Sequence, residues 1–302
     1  MTYVLGETAM HHHEGRLTGA GGLELYYQSW FPTRELKVVL GIVHGLGSHS
    51  SCFSRLVKVL VSLGYGVYGL DLRGHGRSPG PRGYVQNWAE FRQDLACFHR
   101  LIREERPHQA CYFIGHSLGA NVVLDYALAA LEKPAGVIAI APVVGPVGIS
   151  PLKLALGRLL SRLWPRFTLN AGIPEGAGSH DPTVIAAYAN DPLRHTKGTA
   201  RLATEFLRNA QQLRTRLCSL QTPLLVLQGG EDVVALPAGS RALFNRLPLM
   251  DKEYQEYPHG YHDLHNDTCY QQVALDISNW INAHINSEAP KCELSHTYPL
   301  KS

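Results

Sequence analysis

The pentapeptide Gly-His-Ser-Leu-Gly at 115–119 constrains the fold of this chain more than any other segment. A short apolar run, residues 111–114, leads into it, and a stretch with helical character, residues 120–131, follows it. Glycines two positions before and after the serine remove side chains that would collide in a very tight strand-to-helix turn. Such a turn exposes the Ser117 hydroxyl at a helix N-terminus, whose dipole favours developing negative charge. The segment therefore predicts a strand–turn–helix unit that presents a nucleophilic serine.

The acidic residue that would orient the general base is expected in a later part of the chain. A serine hydroxyl is a weak nucleophile at neutral pH and needs a general base that is oriented by a third group. In this kind of sheet that third group, an Asp or Glu, precedes the histidine along the chain. Residues 223–228 form an apolar run, and Glu231 and Asp232 follow in the next loop. Because catalytic groups gather at the carboxyl ends of parallel strands, we select Asp232, with Glu231 as the alternative.

Three histidines follow the last predicted strand, residues 252–257, and any of them is a candidate base. His262 lies in the middle of the loop before the final helix, where an imidazole can reach a neighbouring strand end. His259 lies between Pro and Gly, which is typical of a turn. His265 lies close to the final helix and suits a capping or surface role. Position therefore favours His262 and leaves the other two open.

Backbone amides that stabilise an oxyanion are expected at two points. One is the amide of Leu118, directly after the serine. The other is expected where an early apolar run, residues 39–43, enters His44-Gly45-Leu46-Gly47. Glycines on both sides of Leu46 leave its amide free to face the site, although the same four residues also suit an ordinary turn.

These segments, in this order, resemble those of α/β-hydrolases of the monoacylglycerol lipase and lysophospholipase group, the serine aminopeptidase S33-like hydrolases. The resemblance covers about residues 20–285 and rests on five motifs. They are the HGxGxHS turn at 44–50, the D-x-R-G-H-G-x-S turn at 71–78, the strand-to-helix turn at 115–119 (the nucleophile elbow), the G-x-x-D loop at 229–232 and the Y-H-x-L-H-x segment at 261–266. The chain departs from the group's pattern in two places, where Leu118 replaces the usual Met and Ala120 a frequent Gly.

The resemblance implies a doubly wound, mostly parallel α/β-hydrolase sheet with an inserted helical lid. It also implies hydrolysis of lipid monoesters such as monoacylglycerols or lysophospholipids, with Ser117 as nucleophile, His262 as base and Asp232 as its orienting group. The amides of Leu46 and Leu118 would form the oxyanion hole. An aryl or short-chain carboxylesterase, an aminopeptidase-like amidase and a ligand-binding homologue without turnover use the same fold and remain alternatives.

Composition bears on the partners, the cofactors and the cellular location that we expect. A formal charge of +3 without a Lys/Arg block argues against a nucleic-acid partner. Six scattered cysteines without C-x-x-C indicate reduced thiols, and without H-E-x-x-H we expect no metal and no cofactor. No signal peptide is visible in residues 1–15, and no apolar run approaches the ~20 residues of a membrane span. We therefore expect a cytoplasmic enzyme with a small-molecule acyl ester as its partner.

Strand-like and helical stretches alternate along most of the chain, and the alternation breaks between residues 142 and 218. We predict a core of residues 1–142 and 218–286, a helical lid at 143–217 and a flexible tail at 287–302. The three histidines at 11–13 are expected in a mobile, solvated N-terminus.

One predicted lid helix is amphipathic and basic. Its arginines lie on one face, and the leucines form a stripe on another; they are Arg158, Arg162 and Arg166, and Leu152, Leu156, Leu159, Leu160 and Leu163. Such a helix suits transient contact with an anionic lipid surface. The alternative, which we favour, is a leucine stripe packed on the core beneath solvated arginines.

Overall fold

A computed structural model describes residues 10–144, 151–174 and 176–288 of the 302-residue chain. Eight strands of the described residues form one sheet, and two short strands pair separately. In chain order the strands are β1 (Met10–Thr18), β2 (Glu24–Pro32), β3 (Val39–Val43), β4 (Gly66–Leu70), β5 (Cys111–His116), β6 (Gly136–Ile140), β7 (Thr168–Asn170), β8 (Lys197–Thr199), β9 (Leu224–Gly229) and β10 (Lys252–Tyr257).

The large sheet has the spatial order β1-β2-β4-β3-β5-β6-β9-β10. Its strands from β4 to β10 run parallel. At the other edge β2 is antiparallel to both β1 and β4. Every residue of β3, β5, β6 and β9 is buried, as expected for parallel strands covered by helices on both faces. The predicted doubly wound, mostly parallel sheet is confirmed.

The described residues form eight α-helices, some of which pack on the two faces of this sheet. They are α1 (Ser54–Ser62), α2 (Ala89–Glu105), α3 (Leu118–Ala129), α4 (Pro151–Leu163), α5 (Pro182–Asn190), α6 (Ala200–Arg216), α7 (Pro237–Arg246) and α8 (Tyr270–Glu288). Successive side chains of a strand point to opposite faces. Accordingly Val39 and Val43 of β3 join the apolar cluster under α2 and α3, whereas Leu40 and Ile42 join the cluster under α1 and α8.

Between β6 and β9 the chain leaves the sheet and forms α4, β7, α5, β8 and α6. We call this segment the insertion. The His195 amide donates a hydrogen bond of 3.0 Å to the Gly47 carbonyl, in the loop that follows β3. The Asp181 carboxylate lies 2.6 Å from the Arg55 guanidinium at the start of α1. These contacts hold the insertion over the edge of the sheet where the parallel strands end.

The three N-terminal histidines are exposed, as predicted, but they do not lie in an unstructured terminus. Residues 11–13 are part of β1, which pairs with β2 at the edge of the sheet. The His12 ring lies 3.0 Å from the Gln28 side-chain oxygen and stacks on Trp30 with ring centroids 5.3 Å apart. Cross-strand pairs of this kind stabilise an edge strand without an apolar pattern.

The predicted packing of the leucine stripe is also wrong. Leu152, Leu156, Leu159 and Leu163 are exposed to 80, 55, 51 and 76%. Helix α4 contacts α6 instead, and Ser161 is buried. An amphipathic pattern identifies an apolar stripe but not what covers it. The described part of α4 therefore presents apolar side chains to the outside.

Candidate active site

The serine lies at the junction of β5 and α3. Ser117 adopts φ 53°, a left-handed conformation that is uncommon for a residue with a Cβ. Its amide donates a hydrogen bond of 2.9 Å to the Ile140 carbonyl of β6, which fixes the turn. A Cβ on Gly119 would lie 2.5 Å from the His44 carbonyl oxygen, and one on Gly115 2.5 Å from the Gly119 carbonyl oxygen. The two glycines thus permit the close approach that this strained turn requires.

The carboxylate of Asp232 is buried in the loop after β9, and both of its oxygens have partners. Oδ1 accepts hydrogen bonds of 2.8 Å from the amides of Val234 and Ala235. Oδ2 accepts one of 3.1 Å from the Gln228 side-chain amide, which in turn accepts 2.6 Å from the Ser240 hydroxyl. These contacts orient the carboxylate independently of any histidine.

His262 lies in the loop after β10 and is itself buried. Its Nδ1 is 2.8 Å from Asp232 Oδ2, so this nitrogen carries the proton that the carboxylate accepts. Burial alone would lower the pKa of His262, but the Asp232 carboxylate raises it above the ordinary imidazole value. Because Nδ1 is occupied, Nε2 is the nitrogen left to act on another group.

The alternative acid and bases have other positions. Glu231 pairs with His259 at 3.0 Å, and both side chains are open to solvent, with exposures of 47 and 91%. The His265 ring is buried and stacks on Phe53 with ring centroids 3.9 Å apart. Among the sequence candidates, the structure therefore brings Asp232 and His262 together in a buried pair.

The loop after β3 is adjacent to the serine. His44 of this loop is held by two hydrogen bonds, since its Nδ1 donates to the Gly45 carbonyl at 2.7 Å and its Nε2 accepts from the Leu72 amide at 3.0 Å. A Cβ on Gly45 would lie 3.2 Å from that of Ser117, so glycine permits the close approach. Leu118, as the first residue of α3, has an amide without an intrahelical acceptor.

Two supporting residues belong to motifs of the sequence analysis but were given no individual role there. Asp71, after β4, accepts hydrogen bonds from the amide and hydroxyl of Ser50 at 2.7 and 2.6 Å and from the Arg77 amide at 2.8 Å. The ring of His116 donates from Nε2 to the His262 carbonyl at 3.1 Å, and burial lowers its pKa to about 4. The position of Asp71 directly after an apolar strand was the signal that could have identified it.

Ser117 and His262 line one cavity of about 530 Å³. Leu46 and several insertion residues complete its wall, with apolar Ile173 and Ile185 on one part and charged Asp191 and Arg194 on another. A second, mostly apolar cavity of about 490 Å³ is lined by residues after β6 and around the Asp232 loop. They include Val143, Val144, Val233, Val234, Leu236 and Leu243. The site therefore offers both polar and apolar surfaces to a small molecule.

Two groups of described side chains bring three potential metal-ligating atoms within 4.8 Å of one another. They are His49, Cys52 and Asp191, and His116, Asp263 and His265. In the second group His116 Nε2 lies 3.3 Å from an Asp263 oxygen. Burial would raise the pKa of Asp263, but the neighbouring histidines lower it to about 2. This buried network packs the His262 loop against the turn that carries Ser117.

The strand order and the buried Asp–His pair next to a strained serine define an α/β-hydrolase. Comparison with known proteins gives the family. The description "Serine aminopeptidase, S33" matches residues 34–269, and the chain belongs to this family of hydrolases. The predicted resemblance is therefore confirmed, and the chain is an enzyme.

Similar proteins cover nearly the whole chain. The monoacylglycerol lipase of Mycolicibacterium smegmatis is 30% identical over 274 residues, which are 90% of this chain and 98% of the relative. The monoglyceride lipase of Rattus norvegicus is 28% identical over 284 residues, covering 91% of this chain and 92% of the relative. The crystal structure of Paleococcus ferrophilus monoacylglycerol lipase superposes with a TM-score of 0.77 and 30% identity, over 87% of this chain and 100% of that one.

Proposed function

We propose that this chain hydrolyses lipid monoesters, of the monoacylglycerol or lysophospholipid type, through Ser117, His262 and Asp232. The observation that carries the proposal is the 2.8 Å contact between buried His262 and Asp232 beside the strained Ser117, in the cavity that Ser117 and His262 share. The names of similar proteins, monoacylglycerol lipase and monoglyceride lipase, support the choice of substrate class.

In the proposed reaction the Ser117 hydroxyl attacks the ester carbonyl and transfers its proton to His262 Nε2. The amides of Leu46 and Leu118 stabilise the oxyanion of the tetrahedral intermediate. His262 then gives the proton to the departing alcohol, which leaves an acyl group on the serine oxygen. A water molecule, deprotonated by the same imidazole, releases the acid. Asp232 orients the imidazole and stabilises the imidazolium.

The mixed wall of the cavity suits a monoester. A glycerol or phosphate-bearing head group needs polar partners, which Asp191 and Arg194 supply, whereas an acyl chain needs apolar surface. The apolar cavity around Val143 and Leu236 is our candidate for the chain. A substrate with one acyl chain and one polar end uses both kinds of surface.

We further propose that residues 143–217 act as a lid on a core formed by residues 1–142 and 218–286. The His195–Gly47 and Asp181–Arg55 contacts support this division, because they tie the insertion to loops of the core beside the serine. A lid excludes water from the reaction and shapes the pocket. The proposed tail at 287–302 lies outside the described residues from position 289 onward.

The exposed stripe of α4 supports a proposed contact with a lipid surface. Its leucines are joined by Trp164, exposed to 62%, and by arginines that are also exposed, Arg158 and Arg162. Apolar anchors beside basic residues favour an anionic interface. Within the described ranges, no helix has the length and apolar character needed to cross a bilayer. We propose a cytoplasmic enzyme that binds the membrane surface peripherally.

A fluorophosphonate probe tests the nucleophile. We expect the wild type to be labelled and Ser117→Ala not to be, because the probe reacts only with an activated serine. Ser48→Ala is the matched control, since Ser48 lines the same cavity and should leave labelling intact. Equal labelling of Ser117→Ala would refute the assignment. An unlabelled wild type without ester hydrolysis would instead favour a ligand-binding protein.

A substrate panel tests the substrate class. Glycerol monoesters with acyl chains of increasing length, a lysophospholipid, an aryl ester and an aminoacyl amide should be compared by kcat/KM. We expect long-chain monoesters to be preferred over the short aryl ester, because the chain adds apolar burial. If the enzyme prefers the aryl ester or the amide, the assignment of the catalytic residues stands and the proposed substrate class is wrong.

A further inference from the structure

A second cluster of reactive side chains adjoins the catalytic cavity, and two of its members, Asp191 and Arg194, line that cavity. Cys52 is a free, buried thiol in the turn that leads into α1. Its sulfur lies within 4.8 Å of the ligating atoms of both His49 and Asp191. The Arg194 guanidinium is 3.8 Å from the same sulfur. A cysteine, a histidine and a carboxylate are thus gathered beside a fixed positive charge.

The charges in this cluster favour an ionised thiol. His49 Nε2 contacts Asp191 Oδ2 at 2.8 Å, which orients the imidazole. Burial alone would lower the pKa of His49, but Cys52 and Asp191 raise it to about 9, so the ring is an imidazolium at neutral pH. Burial would raise the pKa of Cys52, but His49 and Arg194 lower it. A thiolate next to two cations is the nucleophilic form of cysteine.

The same cluster joins the core to the insertion. Arg194 of the insertion packs on the Tyr188 ring at 3.5 Å. The Tyr188 hydroxyl accepts a hydrogen bond of 2.6 Å from Asn266, whose side chain also donates to the Cys52 carbonyl. A metal ion at the sulfur would be repelled by the guanidinium. The contacts therefore suit a thiolate rather than a metal ion. We call this contact between the core and the insertion the joint.

We propose that Cys52 is a thiolate modification site that hydrogen peroxide oxidises, and that its oxidation loosens the insertion from the core. The sulfur attacks one peroxide oxygen, so that an S–O bond forms while the O–O bond breaks. The sulfur loses two electrons, and the peroxide gains them. The departing hydroxide takes the proton of the His49 imidazolium and leaves as water. The products are a sulfenic acid and a neutral imidazole.

This step removes the charges that hold the joint. The thiolate that attracted Arg194 becomes a neutral sulfenic acid, and the imidazolium that paired with Asp191 becomes neutral. An additional oxygen atom must also fit into a buried site. Asp191 and Arg194 both belong to the insertion, so its attachment at α5 and β8 weakens.

Trapping with dimedone tests the modification without an ester substrate, so its outcome is independent of the proposed function. Native enzyme is exposed to peroxide at pH 7, quenched with catalase, denatured in dimedone and mapped by peptide mass spectrometry. We expect an adduct at Cys52 to form about tenfold faster than at exposed Cys218. Cys111 is the buried control, because burial raises the pKa of its thiol to about 12. Oxidation of Cys52 no faster than that of Cys111 would overturn the proposal.

Two variants test the cause. His49→Asn and Arg194→Gln should each slow oxidation of Cys52 about fivefold, since each removes one cation from the thiolate. Unchanged rates in both would overturn the role of the cluster. If either variant folds poorly, the absorbance at 240 nm of wild type minus Cys52→Ser from pH 5 to 9 measures thiolate directly. Half-ionisation below the ordinary thiol value of about 8.5 supports the proposal, and a value above it refutes it.

Hydrogen exchange tests the consequence. After peroxide treatment, amides of residues 182–199 should exchange at least about threefold faster in the wild type, because local opening becomes easier. The Cys52→Ser variant should show no such change, and reduction with dithiothreitol should restore the original rates. Equal exchange before and after oxidation would show that the thiol does not control the insertion.

Discussion

The two oxygens of Asp232 receive hydrogen bonds from two backbone amides, one side-chain amide and one imidazole. An asparagine in this position would present a donor to an imidazole nitrogen that needs an acceptor. We predict that Asp232→Asn lowers kcat for ester hydrolysis by about 10⁴-fold, because His262 is then held in the wrong tautomer. Steady-state kinetics on a short soluble ester measures the effect, with circular dichroism to verify folding.

Glu231→Gln is the matched control for this substitution. Glu231 pairs with His259 on the surface, and such exposed pairs contribute little. We expect kcat to stay within about twofold of wild type. The reverse pattern, with loss in Glu231→Gln and retention in Asp232→Asn, would exchange the roles of the two acids.

The pH dependence follows from the ionisation of His262. The imidazole must be neutral to accept the serine proton, and Asp232 raises its pKa above the ordinary value of about 6.5. We predict that kcat/KM falls as the pH decreases through this raised pKa, so the loss begins near neutrality. A pH profile between 4 and 9 tests this, and activity that stays constant down to pH 4 would contradict it.

The sequence alone ranked the candidates for the catalytic acid and base but could not exclude the alternatives. Glu231 and Asp232 are adjacent in one loop, and three histidines lie within seven residues of another. Which side chain points inward depends on the local hydrogen bonds, such as those from Val234 and Ala235, and these depend on the complete loop conformation. The catalytic roles themselves stay predictions until the variants are measured.

At the scale of elements, the junction of β5 and α3 depends on close backbone contact. A Cβ at position 119 would press on the carbonyl oxygens of both Val43 and His44. We predict that Gly119→Ala lowers the free energy of unfolding by about 3 kcal/mol and also abolishes activity, because the elbow and the β3 loop must separate. Thermal and chemical denaturation measure the loss of stability.

Gly157→Ala is the control, because a Cβ at this position in α4 meets no atom within 4 Å. Alanine there should raise stability by about 0.5–1 kcal/mol through its helix propensity. A Gly119→Ala variant as stable as Gly157→Ala would show that the close contacts do not constrain the turn.

Apolar runs predicted most sheet strands well, and polar patterns did not. The apolar run at residues 39–43 coincides with β3, and the apolar run at 223–228 covers all but one residue of β9. Strand β1 was missed because its residues are mostly polar and its stability comes from pairing with β2. The short strands β7 and β8 were missed because three residues give no usable period.

At the scale of the whole molecule, the exposed leucines of α4 predict lipid binding. We expect the double variant Leu156→Asp/Leu159→Asp to reduce co-sedimentation with phosphatidylglycerol vesicles about tenfold or more, since each leucine loses apolar burial and adds repulsion. Hydrolysis of a soluble short-chain ester should stay unchanged, because these side chains do not line the serine cavity.

Leu131→Asp provides the comparison. This leucine is fully exposed after α3 and lies outside the stripe on α4. Vesicle binding should be unaffected by it. Equal loss in both variants would show that net charge, and not the α4 surface, governs the interaction.

The sequence predicted the parallel architecture because motifs in a fixed order fall at strand ends, and parallel strands end at one edge. It did not predict what the α4 stripe faces, because a helix carries no information about its neighbours beyond its apolar side.

The proposed catalytic groups come from loops after β3, β5, β9 and β10, which are strands spread over about 220 residues of sequence. Contacts between such distant segments form late, since closing long stretches of chain costs entropy. A fragment that contains only half of the chain therefore lacks some of the proposed catalytic groups and should have no activity. During renaturation, recovery of catalysis should coincide with the last step of sheet assembly, which makes the enzyme's own reaction a reporter of its complete folding.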